Sequence, residues 1–139
     1  LALLEHDPSL ATFDFYSACA LGEVDFVRRA LEKEPALATK TGGPNGWAPL
    51  VYVCFARLWR RDAARAERLL ATARLLLEHG ADPNGHYFED HDGHKVPQTC
   101  LFAAAGIASH PDLTRLLLEA GADVDEAVTE EARKKESLP

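Results

Sequence analysis

One segment of this sequence occurs twice with few changes. Residues 75–84 read Leu-Leu-Leu-Glu-His-Gly-Ala-Asp-Pro-Asn, and residues 116–125 read Leu-Leu-Leu-Glu-Ala-Gly-Ala-Asp-Val-Asp. Two weaker copies, residues 4–11 and 31–38, match each other in the same way. Such self-similarity predicts modules of roughly 30 residues that carry insertions of variable length. Because one module cannot bury its apolar face alone, we expect the modules to stack on one another.

Each clear copy is typical of the end of a helix. The leucine triplet closes an amphipathic segment, and Gly80 and Gly121 stand where a helix ends in a left-handed residue. A shorter helix is expected upstream of each ending, over residues 15–22, 49–56 and 101–106. The pattern therefore predicts an all-α protein of paired helices. The residues expected to form its continuous stacked core are Leu76, Leu77, Leu116 and Leu117.

The segments around the short helices complete a familiar pattern. Ala48-Pro49-Leu50 and Thr99-Cys100-Leu101 stand at their starts, and Gly-Ala-Asp endings follow at 80–84 and 121–125. In these motifs the chain resembles the ankyrin-repeat family over about residues 1–125. The resemblance implies a solenoid of stacked helix-turn-helix modules with hairpin-like loops on one edge. It also implies a non-catalytic role in binding another protein through the concave face and the loops.

The resemblance implies that residues 1–139 form a single repeat array. Its expected parts are the tail of a preceding repeat at 1–12, repeats at 13–45, 46–85 and 86–125, and a C-terminal tail or cap at 126–139. Repeat 46–85 carries an insertion of helix-favouring composition. We expect both helices of that repeat to be lengthened, with Asp62 as the N-cap of the second.

Composition narrows the class of protein. A hydrophobic content of 47% is too high for a disordered chain, and no apolar run approaches the ~20 residues of a membrane span. The net charge of −7 argues against nucleic-acid binding. Three cysteines without a CxxC pair, and no visible secretory signal, indicate buried thiols in a cytoplasmic protein. No phosphate loop, nucleophile elbow or HExxH motif is present, so no enzyme activity and no cofactor are expected.

The insertion concentrates positive charge in an acidic chain. Arginines at 57, 61, 65 and 68 are spaced so that they would draw a stripe along a continuous helix. A solvated face is one interpretation of this stripe. The other is a contact surface for an acidic protein partner, made by Arg57, Arg61, Arg65 and Arg68.

Several apolar and aromatic residues occupy positions that resemble the partner-contact positions of the ankyrin-repeat family. Trp47, Phe55 and Ile107 fall on expected hairpins and short helices, where exposed side chains would anchor an interface. Burial by the lengthened helices is the alternative interpretation of these three residues. Further candidate contacts lie in the long loop, at Tyr87, Phe88 and Gln98.

A histidine-rich loop suggests a function of a different class. Residues 86–94 contain His86, His91 and His94 together with three carboxylate residues, Glu89, Asp90 and Asp92, and a hairpin could bring two imidazoles together. The spacing matches no known metal motif, and a solvated hairpin tip, polar because it is exposed, is the favoured interpretation. The alternative function is therefore a metal-responsive protein that uses this loop.

Overall fold

Helices account for most of the computed structural model, which describes residues 15–124. They follow one another as three pairs: α1 (Phe15–Leu21) with α2 (Val24–Lys33), α3 (Pro49–Cys54) with α4 (Ala63–Glu78), and α5 (Cys100–Phe102), continued by a π-helical segment (Ala103–Ile107), with α6 (Pro111–Glu119). A 3₁₀ turn, Pro35–Thr39, follows the first pair. The tail expected at 1–12 and the cap expected at 126–139 lie outside the described residues.

Corresponding helices of successive pairs pack against each other. The first helices form the row α1, α3 and α5, and the second helices form the row α2, α4 and α6. The arrangement is that of a helical repeat fold, as the internal self-similarity predicts. Both leucine-rich helices end where expected, because Gly80 and Gly121 adopt positive φ angles of 97° and 108°.

One apolar core runs through the stacked pairs. Leu76 and Leu117 are fully buried in it, while Leu77 and Leu116 are partly buried and pack against it. The predicted stacked core of four leucines is thus confirmed, with two members at its centre and two at its edge. Other large side chains that are fully buried are Phe15, Leu31, Leu50, Leu69 and Leu113.

A β-hairpin corrects the all-α prediction. Strands β1 (His86–His91) and β2 (His94–Thr99) pair antiparallel, from His86 opposite Thr99 to His91 opposite His94. Asp92 and Gly93 form the turn with φ angles of 53° and 82°. Two left-handed residues match the twist of the flanking strands, which explains why a polar loop forms a regular ladder.

The insertion in the second pair lengthens one helix and not both. α4 has 16 residues, but α3 has only 6 and ends at Cys54. The chain turns after Cys54 because the Trp59 ring folds back into the core and its Nε1 donates a hydrogen bond to the Val53 carbonyl at 2.8 Å. The predicted N-cap is confirmed: Asp62 Oδ1 accepts hydrogen bonds from the backbone N–H groups of Ala64 and Arg65.

Candidate functional site

Three of the predicted contact residues meet in one aromatic cluster, here called the aromatic face and made of Trp47, Phe55 and Tyr87. The Trp47 and Tyr87 rings stack with centroids 4.4 Å apart, and Phe55 meets Tyr87 edge-on at 4.9 Å. Trp47 and Phe55 are 6.0 Å apart. All three side chains are partly buried, so each keeps an accessible portion. For Trp47 and Phe55, the structure thus lies between the two alternatives, exposure as anchors and burial by the lengthened helices.

The loop that carries Trp47 is fixed by a buried tyrosine. The Tyr52 hydroxyl donates to the Gly42 carbonyl at 2.7 Å and accepts from the Asn45 N–H at 3.0 Å. The Gly42 N–H in turn donates to the Trp47 carbonyl at 3.1 Å, which closes the loop. The Tyr52 ring also contacts the Trp47 ring, with centroids 5.1 Å apart. Sequence reasoning missed this role of Tyr52.

The hairpin separates the remaining aromatic candidate from the aromatic face. Gln98 lies directly opposite Tyr87 in the register, so the two share one side of the hairpin. Phe88 points to the other side, because successive strand residues alternate. There its ring is 58% exposed and meets His86 edge-on at 5.1 Å. Phe88 is therefore not part of the aromatic face.

The predicted arginine stripe is wrong, because the helix that would carry it begins at Ala63. Arg57 and Arg61 lie in the turn before α4, and Arg65 and Arg68 lie on α4 itself. Arg65 Nη1 donates to Glu23 Oε1 at 3.0 Å and to the Leu21 carbonyl at 2.8 Å. Arg65 therefore links α4 to the turn between α1 and α2, while Arg68 is exposed.

Ile107 lies with the arginines of the turn and not with the aromatic face. An open cleft of about 390 Å³ is lined by Ala56, Arg57, Trp59, Arg60, Arg61, Ile107 and Ala108. Ile107 is 45% exposed and contributes the largest accessible apolar side chain of this lining. Arg60 was not among the predicted contact residues, although its neighbours Arg57 and Arg61 were.

Among the side chains that the structure describes, no three potential metal ligands lie together, and the side chain of His91 lies outside that described set. The strand register pairs the positions of His91 and His94, and His86 Nδ1 lies 3.2 Å from the Asn84 carbonyl oxygen. The metal-responsive alternative therefore gains no support from the described residues.

All three cysteines are free and buried, as predicted. Burial raises the pKa of Cys19 far above its ordinary value. A hydrogen bond with Cys100, together with burial, raises the pKa of Cys54. A thiol with a raised pKa is a poor nucleophile, because the thiolate is the reactive form.

Comparisons with known proteins identify one matching family. Residues 98–129 match the family model described as Ankyrin repeat. The matched segment begins in β2 and includes α5 and α6. No curated protein matches the chain, and no solved structure does so either. In the described part of the chain, no helix has both the length and the apolar character needed to cross a membrane. Ankyrin repeats generally mediate binding between proteins. The match supports assigning this chain to the ankyrin-repeat family, with one repeat detected over residues 98–129.

Proposed function

We propose that this chain is a non-catalytic module that binds another protein through its aromatic face. The observation that carries the proposal is the convergence of Trp47, Phe55 and Tyr87 on one partly exposed cluster. These rings come from three separate segments, namely a loop, the residue after α3, and β1. Large aromatic side chains of this kind supply much of the binding energy at protein interfaces.

The aromatic face is held in place before any partner arrives. The Tyr52 hydroxyl fixes the loop of Trp47 by two hydrogen bonds, and the ladder with β2 fixes Tyr87. Binding to such a surface loses little conformational entropy, because the rings are already ordered by one another. The repeat family to which the chain is assigned supports the same function.

We extend the proposal to the shape of the repeat array and to the cellular compartment of the protein. The stacked helix pairs form a short solenoid, and the aromatic face lies with the hairpin on its concave side. A cytoplasmic location is supported by the three free, buried thiols. A non-catalytic role is supported by the family and by the raised pKa of Cys19 and Cys54.

Selection from a random peptide library displayed on phage tests this function. We expect enriched peptides that bind the purified chain, with affinity measured by calorimetry. Tyr87→Ser should weaken binding by about tenfold, because it removes one anchor ring. Phe88→Ser is the matched control, since the neighbouring residue lies on the other side of the hairpin, and it should change affinity by less than about twofold.

The outcome is interpretable only for folded variants, so circular dichroism and urea unfolding accompany each measurement. Selection that enriches no binding peptide would refute the proposed function. Equal affinities for the wild type and the Tyr87→Ser protein would show that the aromatic face is not the binding surface.

A further inference from the structure

The cleft beside the turn at 55–62 combines positive charge with an apolar floor. We call it the arginine cleft; its lining residues are Ala56, Arg57, Trp59, Arg60, Arg61, Ile107 and Ala108. The charged part comes from the turn between α3 and α4, and Ile107 and Ala108 come from the end of the π-helical segment. Arg57, Arg60, Arg61 and Ile107 are all exposed.

The turn that carries the arginines is held by a buried tryptophan and by a main-chain hydrogen bond. Trp59 is only 5% exposed, donates from Nε1 to the Val53 carbonyl, and packs against the His110 ring with centroids 4.8 Å apart. The Arg61 N–H donates to the Leu58 carbonyl at 3.2 Å. The three guanidinium groups therefore extend from a fixed turn, and a ligand does not need to order the main chain.

Among the described residues, these arginines have no side-chain partner, whereas other arginines do. Arg65 is paired with Glu23, Arg28 with Asp25, and Arg115 with Asp112. By contrast, the guanidinium groups of the cleft form no hydrogen bond or ion pair with any residue of the range 15–124. The nearest acid in sequence, Asp62, uses its Oδ1 to cap α4. Within the described residues of this acidic chain, three arginines without a partner thus lie at one site.

We propose that the arginine cleft binds an acidic segment of the protein partner, with carboxylates on the guanidinium groups and an apolar side chain against Ile107. Planar guanidinium groups match carboxylates in shape and donor geometry, and Ile107 with Ala56 and Ala108 offers the apolar contact. The inference rests on the proposed function, since it names the chemistry of the partner.

A nucleic acid fits this cleft less well than an acidic peptide. Base binding to single strands depends on accessible aromatic rings, and Trp59, the aromatic residue of the cleft, is buried against His110. The net charge of −7 also repels a polyphosphate chain, whereas a short acidic peptide needs only the local field.

Fluorescence anisotropy with a defined probe tests the inference. The probe is a fluorescein-labelled peptide with a central leucine between two runs of three glutamates. We expect Arg60→Gln/Arg61→Gln to weaken its binding by about tenfold or more. The matched control is Arg68→Gln/Arg74→Gln, which removes two exposed arginines of α4 that lie outside the cleft. This control variant should change the affinity for the probe by less than about threefold, because it alters only the net charge of the protein.

Two further probes resolve which chemistry the cleft recognises. A peptide with glycine in place of leucine should bind more weakly if Ile107 receives the apolar side chain. The inference is overturned if both double variants lose affinity equally. It is also overturned if the Arg60→Gln/Arg61→Gln protein binds the acidic peptide as tightly as wild type does. Tighter, cleft-dependent binding of a labelled single-stranded oligonucleotide would also overturn it, in favour of a nucleic-acid site.

The result separates this inference from the proposed function. If the acidic peptide fails to bind but library-selected peptides still depend on Tyr87, the cleft assignment is wrong and the protein-binding function stands. If no selected peptide depends on Tyr87 either, both proposals fail.

Discussion

The Arg65 side chain joins two helix pairs by reaching Glu23 across the stack. Its Nη1 lies 3.0 Å from Glu23 Oε1 and 2.8 Å from the carbonyl oxygen of Leu21. Both charged side chains are partly shielded from solvent, so the pair is less screened than one on an open surface. An arginine predicted to contact a partner therefore stabilises the fold.

Replacing Arg65 tests this structural role. Arg65→Gln removes the ion pair and leaves the Glu23 carboxylate and the Leu21 carbonyl without this donor. We expect the free energy of unfolding to fall by about 1–2 kcal/mol in urea denaturation. Arg68→Gln, one turn further along α4, is the control and should stay within about 0.5 kcal/mol of wild type. Equal effects for the two variants would contradict the role of the pair.

The features that sequence predicts correctly are local. Gly80 and Gly121 end helices because their backbone needs a positive φ, and Asp62 starts α4 because its carboxylate reaches two nearby N–H groups. Such signals depend on a few neighbouring residues and can be recognised without a fold. The leucine repeat likewise predicts the core, because an amphipathic helix turns one of its faces inward, and that face includes Leu76 and Leu117.

The features that sequence does not predict depend on distant contacts. The arginine stripe required a helix through residues 57–68, but burial of Trp59 against Val53 and His110 turns the chain there. The aromatic face depends on the loop geometry that Tyr52 sets and on the hairpin that brings Tyr87 to Trp47. The sequence does indicate a hairpin at 86–94, through its Asp-Gly turn at 92–93, but it does not indicate the contact of Tyr87 with Trp47.

The stacked core predicts a large difference between adjacent leucines. Leu117 is fully buried, whereas Leu118 is 42% exposed. Leu117→Ala should lower the free energy of unfolding by about 2–5 kcal/mol, because it leaves a cavity between α6 and its neighbours. Leu118→Ala should cost less than about 1 kcal/mol in the same thermal or urea unfolding experiment. Similar losses for both would contradict the packing of α6.

Two glycines of the loop that carries Trp47 offer a matched pair of alanine substitutions. Gly43 and Gly46 have similar positive φ angles of 73° and 69°, so alanine is conformationally strained at either position. A Cβ on Gly43 would lie 2.8 Å from the Tyr52 hydroxyl oxygen, whereas a Cβ on Gly46 would meet nothing within 4 Å. We expect Gly43→Ala to be more destabilising than Gly46→Ala by about 1–3 kcal/mol.

The same pair tests how the loop supports the site. Because the Gly43 substitution displaces Tyr52, we also expect it to weaken binding of library-selected peptides, while the Gly46 substitution leaves their affinity within about twofold of wild type. Unchanged affinity in a folded Gly43→Ala protein would show that Tyr52 does not position Trp47 for binding.

Stability should decrease in alkaline solution. Burial raises the pKa of Tyr16 above its ordinary value of 10.0, with smaller contributions from Cys19 and Tyr52, and burial also raises the pKa of Tyr87. Above about pH 10 the unfolded chain loses these protons before the native chain does, so the free energy of unfolding falls as the pH rises. Below that pH both states keep the protons and this contribution is constant.

Urea unfolding at about pH 9 and about pH 10.5 measures the alkaline effect. The midpoint of wild type should fall between these values, and Tyr16→Phe should reduce the fall. The variant is also expected to lose some stability at neutral pH, because the Tyr16 hydroxyl donates to the Lys40 carbonyl at 2.7 Å. An identical fall in both proteins would assign the pH dependence to other groups.

The central claim, that this module binds a protein through the aromatic face, is tested most directly by the tryptophan side-chain signals of the ¹⁵N-labelled chain. The chain has two tryptophans: Trp47 belongs to the aromatic face, and Trp59 lies buried behind the arginine cleft. The spectrum of Trp47→Phe identifies which indole N–H signal is which. Titration with a library-selected peptide should shift the Trp47 signal progressively to saturation, at the affinity measured by calorimetry. A saturating peptide that leaves the Trp47 signal unmoved would contradict the claim.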